Sequence, residues 1–268
     1  MTFESAPRDP TVIERYPAYR GERRIGVHCS DGEGPFAVVV LLHGGEFGAG
    51  SPDAVAPAAQ ALAERLASIV ATPDYTLTAE GAFPAAAEDA YAALLWAQGR
   101  AAEWCKAGGA LLVIGIEAGG NLAAVTAMMA RDRGGPPLAA QILIQPMLDP
   151  SLSTRSMRCS AEGVSRRCDA AYRAYLPSGT DRMHPYAAPL ASVRLAGLPP
   201  ALILTSHDDP LRDEAEAYAA KLIRAGVTTQ VSQLPRIETE GRWGAGMLDA
   251  IAAFAGPRIA RPRPSPRN

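Results

Sequence analysis

Apolar runs recur along the chain, and helical patterns separate them. FAVVVLLH (36–43) is rich in Val and Leu, which predicts a buried strand. PDAVAPAAQALAERLA (52–67) follows with helical spacing, and SIVATPDY (68–75) predicts the next strand. FPAAAEDAYAALLWAQGRAAEWCKAG (83–108) reads as a long helix opened by Pro84, a residue suited to a first turn. ALLVIGI (110–116) is a third strand. AGGNLAAVTAMMARDR (118–133) is a helix stopped by Gly134, Gly135 and Pro136. Strands at 139–146, 200–209 and 227–234 and helices at 211–226 and 246–255 complete the alternation. Strand and helix in strict turn, with strands apolar throughout, predict an α/β fold: a mostly parallel, doubly wound sheet with helices on both faces.

Three stretches break the rhythm. Residues 1–34 are polar and rich in Pro and Arg, and read as a short segment ahead of a 35–255 domain. Residues 147–199 are an insertion of polar loops with one amphipathic helix near Asp169–Leu176, placed to shape a pocket above the strand ends. Residues 256–268, GPRIARPRPSPRN, alternate Pro and Arg and predict a disordered, solvated tail.

Composition narrows the functional classes. Hydrophobic residues make up 48% of the 268, enough for a sizeable core. The formal charge of -2 excludes a general electrostatic grip on nucleic acid or an anionic membrane. Cys29, Cys105, Cys159 and Cys168 form no CxxC pair, so neither a metal cage nor a disulfide framework is expected. The first residues lack an apolar signal region and no run of 18 apolar residues occurs, which predicts a cytoplasmic chain with free thiols. No cofactor-binding motif is present, and the expected partner is a small molecule.

Two segments stand at the C-terminal ends of strands, where ligands bind in open α/β sheets. One is His43-Gly44-Gly45-Glu46-Phe47-Gly48; the other is Gly115-Ile116-Glu117-Ala118-Gly119-Gly120-Asn121. Small residues around position 117 fit a strand-turn-helix elbow that pushes one side chain into the open. A third cluster, Asp208 to Glu214, follows a later strand.

These segments resemble the hormone-sensitive-lipase-like (type IV) esterases of the α/β-hydrolase fold. That family's HGGGF, DYRLAPE-xPFPA, GDSAGGN and DPLRDE motifs match, in order, His43–Phe47, Asp74–Glu80 with Phe83–Ala85, Gly115–Asn121 and Asp209–Glu214. The resemblance implies backbone N–H donors for an oxyanion at Gly44, Gly45 and Ala118, with His43 structural and Phe47 beside the substrate. It implies a triad acid at Asp209. It also implies a Ser at the elbow and a His in the last loop, whereas this chain carries Glu117 at the first position and Thr239 nearest the second. Glu46 replaces the third oxyanion-loop glycine, and residues 1–34 stand where a helical cap is usual, which implies a reduced cap. None of His28, His43, His184 and His207 falls where the catalytic base is expected.

A carboxylate at the elbow is suited to proton transfer, because paired carboxyls in unlike surroundings divide into an acid and a base. The leading expectation is therefore a non-hydrolytic acid–base enzyme acting on a small apolar molecule, as a cyclase, isomerase, dehydratase or lyase. Glu117 is its central group, with Asp209, Glu46 and Glu240 as partners. The alternatives are a non-catalytic binding protein that kept the pocket and a residual ester or epoxide hydrolase using a Glu carboxylate. Bland readings stand beside these: Glu117 facing solvent or an Arg such as Arg236 or Arg242, Glu46 solvated on its loop, and Asp209 capping the helix near Leu211. The family's habit of pairing through a late strand and helix leaves a homodimer open.

Overall fold

The computed structural model describes residues 11–30, 35–105, 109–239 and 241–259. Eight strands form one sheet in the order β1-β2-β4-β3-β5-β6-β7-β8. They are β1 (Thr11–Ala18), β2 (Gly21–Cys29), β3 (Ala37–Leu42), β4 (Ile69–Pro73), β5 (Ala110–Ile116), β6 (Ala140–Ile144), β7 (Ala201–Ser206) and β8 (Thr229–Leu234). From β4 to β8 every neighbouring pair is parallel, while β1 and β2 are antiparallel additions at one edge. Residues 11–29, expected as part of a reduced cap, are thus two strands of the sheet itself.

The helices are α1 (Pro52–Leu66), α2 (Ala85–Trp104), α3 (Ala118–Asp132), α4 (Arg155–Arg158), α5 (Val164–Tyr175), α6 (Arg212–Arg224) and α7 (Ala245–Ile259). Side chains alternate across a strand, so each central strand feeds two cores. Val38, Val40 and Leu42 of β3 join Val113, Leu143 and Ile203 under α2, α3 and α6. Val39 and Leu41 join Leu112, Ile114, Ile142 and Leu204 under α1 and α7. Helix α7 continues through Gly256–Ile259 with Ile259 buried, so the first residues of the expected disordered tail are helical; the rest of that tail lies outside the described residues. No helix among the described residues is long and apolar enough to cross a membrane.

The 147–199 insertion is tied down from below. Asn121 of α3 donates from Nδ2 to the carbonyls of Met147 (2.8 Å) and Ala187 (3.0 Å). Glu214 of α6 accepts from the Leu148 N–H at 2.6 Å, and Asp213 accepts from the Ser156 N–H at 2.8 Å. Tyr175 of α5 stacks on Phe47 with ring centroids 3.9 Å apart. Helix α5 is thereby fixed over the strand ends.

The turn from β5 into α3 depends on close backbone approach. A Cβ on Gly119 would lie 2.2 Å from the Leu42 carbonyl oxygen and 2.3 Å from that of His43, and one on Gly115 would lie 1.9 Å from the Gly119 carbonyl oxygen. Only a bare α-carbon fits there. Gly119→Ala is expected to destabilise the chain by about 3 kcal/mol or more, since the clash is with backbone rather than a movable side chain. Urea denaturation checks this; a loss within about 0.5 kcal/mol of zero contradicts the packing described.

Candidate active site

Glu117 occupies the junction between β5 and α3 with φ 50° and ψ -111°. Its backbone is held on both sides: its N–H donates to the Ile144 carbonyl (2.9 Å), and its carbonyl accepts from the N–H groups of Asn121 (3.1 Å) and Met147 (3.0 Å). Its side chain turns towards the loop after β3. The Gly45 N–H donates to Glu117 Oε2 at 3.2 Å. The elbow carboxylate therefore sits on a backbone donor near the positive end of α3.

Around it is a cavity of about 180 Å³ lined by Glu46, Glu117, Gln145, Met147, Val164, Arg167, Cys168, Asp209, Pro210 and Leu211. Three of these residues, Glu46, Glu117 and Gln145, have left-handed backbone at φ 54°, 50° and 44°. Such conformations in residues other than glycine cost on the order of 1–3 kcal/mol each and persist where surrounding contacts enforce them.

Asp209 is 3% exposed. Its Oδ1 accepts from the Leu211 N–H at 2.9 Å, which steadies the turn into α6, while Oδ2 has no hydrogen-bond partner within 3.5 Å among the described residues. That bond closes a turn ahead of α6, whose own N-cap residue, Leu211, makes no side-chain cap bond. Burial pushes its pKa up to about 6; the negative charge of Glu117 adds to the rise, and the Leu211 N–H, the Gln145 amide and Arg212 oppose it. Glu46 lies at the mouth and pairs with Arg167 of α5 at 3.5 Å, rather than standing alone in solvent. Burial pushes the Cys168 thiol up to about 11, so it is not a thiolate nucleophile.

Of the expected carboxylates, Glu117, Asp209 and Glu46 meet in this cavity, and Glu240 lies outside the described residues. Thr239 does not line it. Of the described residues after β8, Ile237 and Trp243 pack in the core under α7 with Met247 and Ile251, and Glu238 accepts from the Gly244 N–H at 3.0 Å. Phe47 is not a substrate contact either, being fully buried against Tyr175 and Tyr172. His43 is structural: its ring stacks on Tyr75 at 4.2 Å, Nδ1 meets the Gly44 carbonyl at 2.7 Å, and burial lowers its pKa. None of the four histidines lines the cavity. Gly44 faces the carboxylate, since a Cβ there would lie 3.0 Å from Glu117 Oε2, and Ala118 opens α3. Arg167, Cys168 and Val164 were not anticipated; the Arg-Arg-Cys run in the insertion was their only sequence signal. Among the described residues no cluster of His, Cys, Asp and Glu could hold a metal ion.

A family profile described as alpha/beta hydrolase fold matches residues 39–238. The chain belongs to this α/β-hydrolase family. It is 40% identical over 204 residues to the carboxylesterase NlhH of Mycobacterium tuberculosis, covering 74% of this chain and 64% of that protein. It is 39% identical over 228 residues to the carboxylic ester hydrolase LipN of the same organism, covering 81% of this chain and 60% of that protein. The matches thus span less than two thirds of the length of these two relatives. Among solved structures, a Pyrobaculum calidifontis esterase superposes with a TM-score of 0.84 at 33% identity, covering 95% of this chain and 87% of that one. These relatives overturn the non-hydrolytic reading of the elbow carboxylate as a cyclase, isomerase, dehydratase or lyase, because all three are named for ester hydrolysis.

The Asp209 environment gives a sign-specific prediction. An unfolded Asp releases its proton at lower pH than this buried one, so the native state holds more protons between the two values and stability falls as pH rises through about 4 to 6. Asp209→Asn keeps an oxygen for the Leu211 N–H and removes that loss. Denaturation of both proteins across pH 4 to 8 is expected to show the variant gaining on the order of 3 kcal/mol relative to wild type as pH rises. A gap that does not change with pH contradicts the burial argument.

Proposed function

We propose that this chain is a slow carboxylic-ester hydrolase in which the Glu117 carboxylate takes the place of the usual elbow serine and acts as a base towards water. The observation that carries this reading is the position of Glu117, at the strained elbow and bonded to the Gly45 N–H, in a fold whose relatives are named for ester hydrolysis.

The chemistry favours a base over a nucleophile. A carboxylate that adds to an alkyl ester gives a tetrahedral adduct whose better leaving group is the carboxylate, so the adduct mostly collapses back. Taking a proton from a water molecule avoids that reversal, because the hydroxide equivalent then forms a stable acid product. In this reading Asp209, whose pKa burial raises to about 6, gives a proton to the departing alcohol and recovers it afterwards. The Gly45 N–H and the start of α3 supply positive potential for the developing oxyanion. That donor already serves Glu117, so base and substrate carbonyl share it, and turnover is slow for this reason.

The same bond also favours a second reading, a pocket that binds a small molecule and returns it unchanged. Hydrolysis of short-chain nitrophenyl esters separates the two. Wild type is expected to exceed the solvent background, and Glu117→Gln to lower kcat/KM by about 100-fold, the scale of losing a general base. Equal rates for wild type and variant overturn the hydrolytic reading, and an ester recovered intact from a measurable complex establishes the binding one.

A further inference from the structure

Glu214 is a buried carboxyl with no part in the chemistry proposed above. Its side chain is fully buried in the first turn of α6, five residues beyond Asp209. One oxygen, Oε1, accepts from the Leu148 N–H at 2.6 Å and from the Asp149 N–H at 3.3 Å. The other, Oε2, has no hydrogen-bond partner among the described residues. The charges that bear on it are those of Asp149 and Asp209, both negative. Helix α5 presents the Cys168 thiol and Tyr172, a fully buried residue whose hydroxyl also has no partner among the described residues. Arg212 and Asp213 of α6 pair with each other at 2.9 Å, and Arg155 and Arg158 of α4 are exposed. Burial pushes the Glu214 pKa up to about 8; Asp149 and Asp209 add to the rise, and the two N–H bonds oppose it. At neutral pH the group is a neutral acid.

The backbone that Glu214 holds leads directly to the elbow. Met147, next to Leu148, donates its N–H to the Glu117 carbonyl at 3.0 Å and lines the cavity. Its carbonyl accepts from Asn121 Nδ2 at 2.8 Å, and the Leu148 carbonyl accepts from the Leu190 N–H at 3.2 Å. We propose that Glu214 is a positioning residue for the cavity: in its protonated form it clamps the 147–149 backbone, which holds the Glu117 elbow, and on ionisation it lets that backbone loosen. The reason is solvation. A charged Glu214 gains two N–H bonds, but it is cut off from water and faces the charges of Asp149 and Asp209 without a cation to balance it. Water reaches it where the 147–149 backbone lifts from α6. Where the chain acts on esters, a point that rests on the reading above, this loosening withdraws Met147 from the elbow and turnover falls on the alkaline side.

Hydrogen exchange of the full chain, read by mass spectrometry between pH 6.5 and pH 9 and corrected for the intrinsic exchange rate, tests this. In wild type, protection of residues 145–150 is expected to fall about tenfold per pH unit, the slope of one released proton, and to level off above about pH 8. Residues 110–116 of β5 are expected to stay unexchanged over the same times, which marks a local opening. Glu214→Gln is isosteric with the neutral acid and does not titrate, so its protection at 145–150 is expected to match wild type at pH 6.5 and to stay level up to pH 9. Constant protection in wild type overturns the proposal. So does exchange of 145–150 and 110–116 at one common rate, or a decline that persists in Glu214→Gln. Should that variant fail to fold, wild type alone decides, and a decline with no levelling near pH 8 overturns the proposal. Exchange is read without turnover. Failed ester hydrolysis with this exchange pattern intact therefore counts against the hydrolase reading alone, and the reverse pattern against the clamp alone.

Discussion

The first turn of α3 rests directly on the carbonyl end of β3, with Gly119 so close to Leu42 and His43 that no side chain fits between them. The rest of the site depends on that contact. It brings the elbow residue beside the Gly45 N–H, and it aims the start of α3 at the same point as the strand ends. Asn121, two residues beyond Gly119, then anchors Met147 and Ala187, which carry the insertion over the cavity. A position built by backbone packing keeps its geometry whichever side chain occupies it, which is how a carboxylate comes to stand where esterases of this fold are expected to carry a hydroxyl.

The electrostatic consequences follow from burial. Asp209 is buried with only the Leu211 N–H and the Gln145 amide to offset its lost hydration, so its proton is retained to about pH 6. Glu214, five residues on and in the first turn of α6, has the same problem: burial pushes it up to about 8 although the Leu148 N–H is bonded to it. Together with three strained backbone positions around the cavity, these groups are a local cost that the two apolar cores carry.

Most of the sheet could be read from the sequence because its central strands are buried on both faces and appear as unbroken apolar runs. Strands β1 and β2 could not. Only Tyr16 is buried among the described side chains of β1, and the outer half of β2 carries Glu22, Arg23 and Arg24, so neither shows the pattern of an interior strand. At the site, Glu117, Glu46 and Asp209 were legible because glycines and strand ends marked their surroundings. Arg167 and Cys168 were not, because the packing of α5 on Phe47 places them and no local pattern encodes it. Thr239 is not among the residues that line the cavity, while Trp243, four residues on, is buried in the core under α7.

The central claim is that the elbow carboxylate works by removing a proton from water. The solvent deuterium isotope effect on kcat for a short alkyl ester tests it most directly. Proton transfer in the rate-limiting step predicts a normal effect, on the order of 2, that disappears with Glu117→Gln. An effect near unity in the wild-type chain would contradict the account and point to direct attack by the carboxylate.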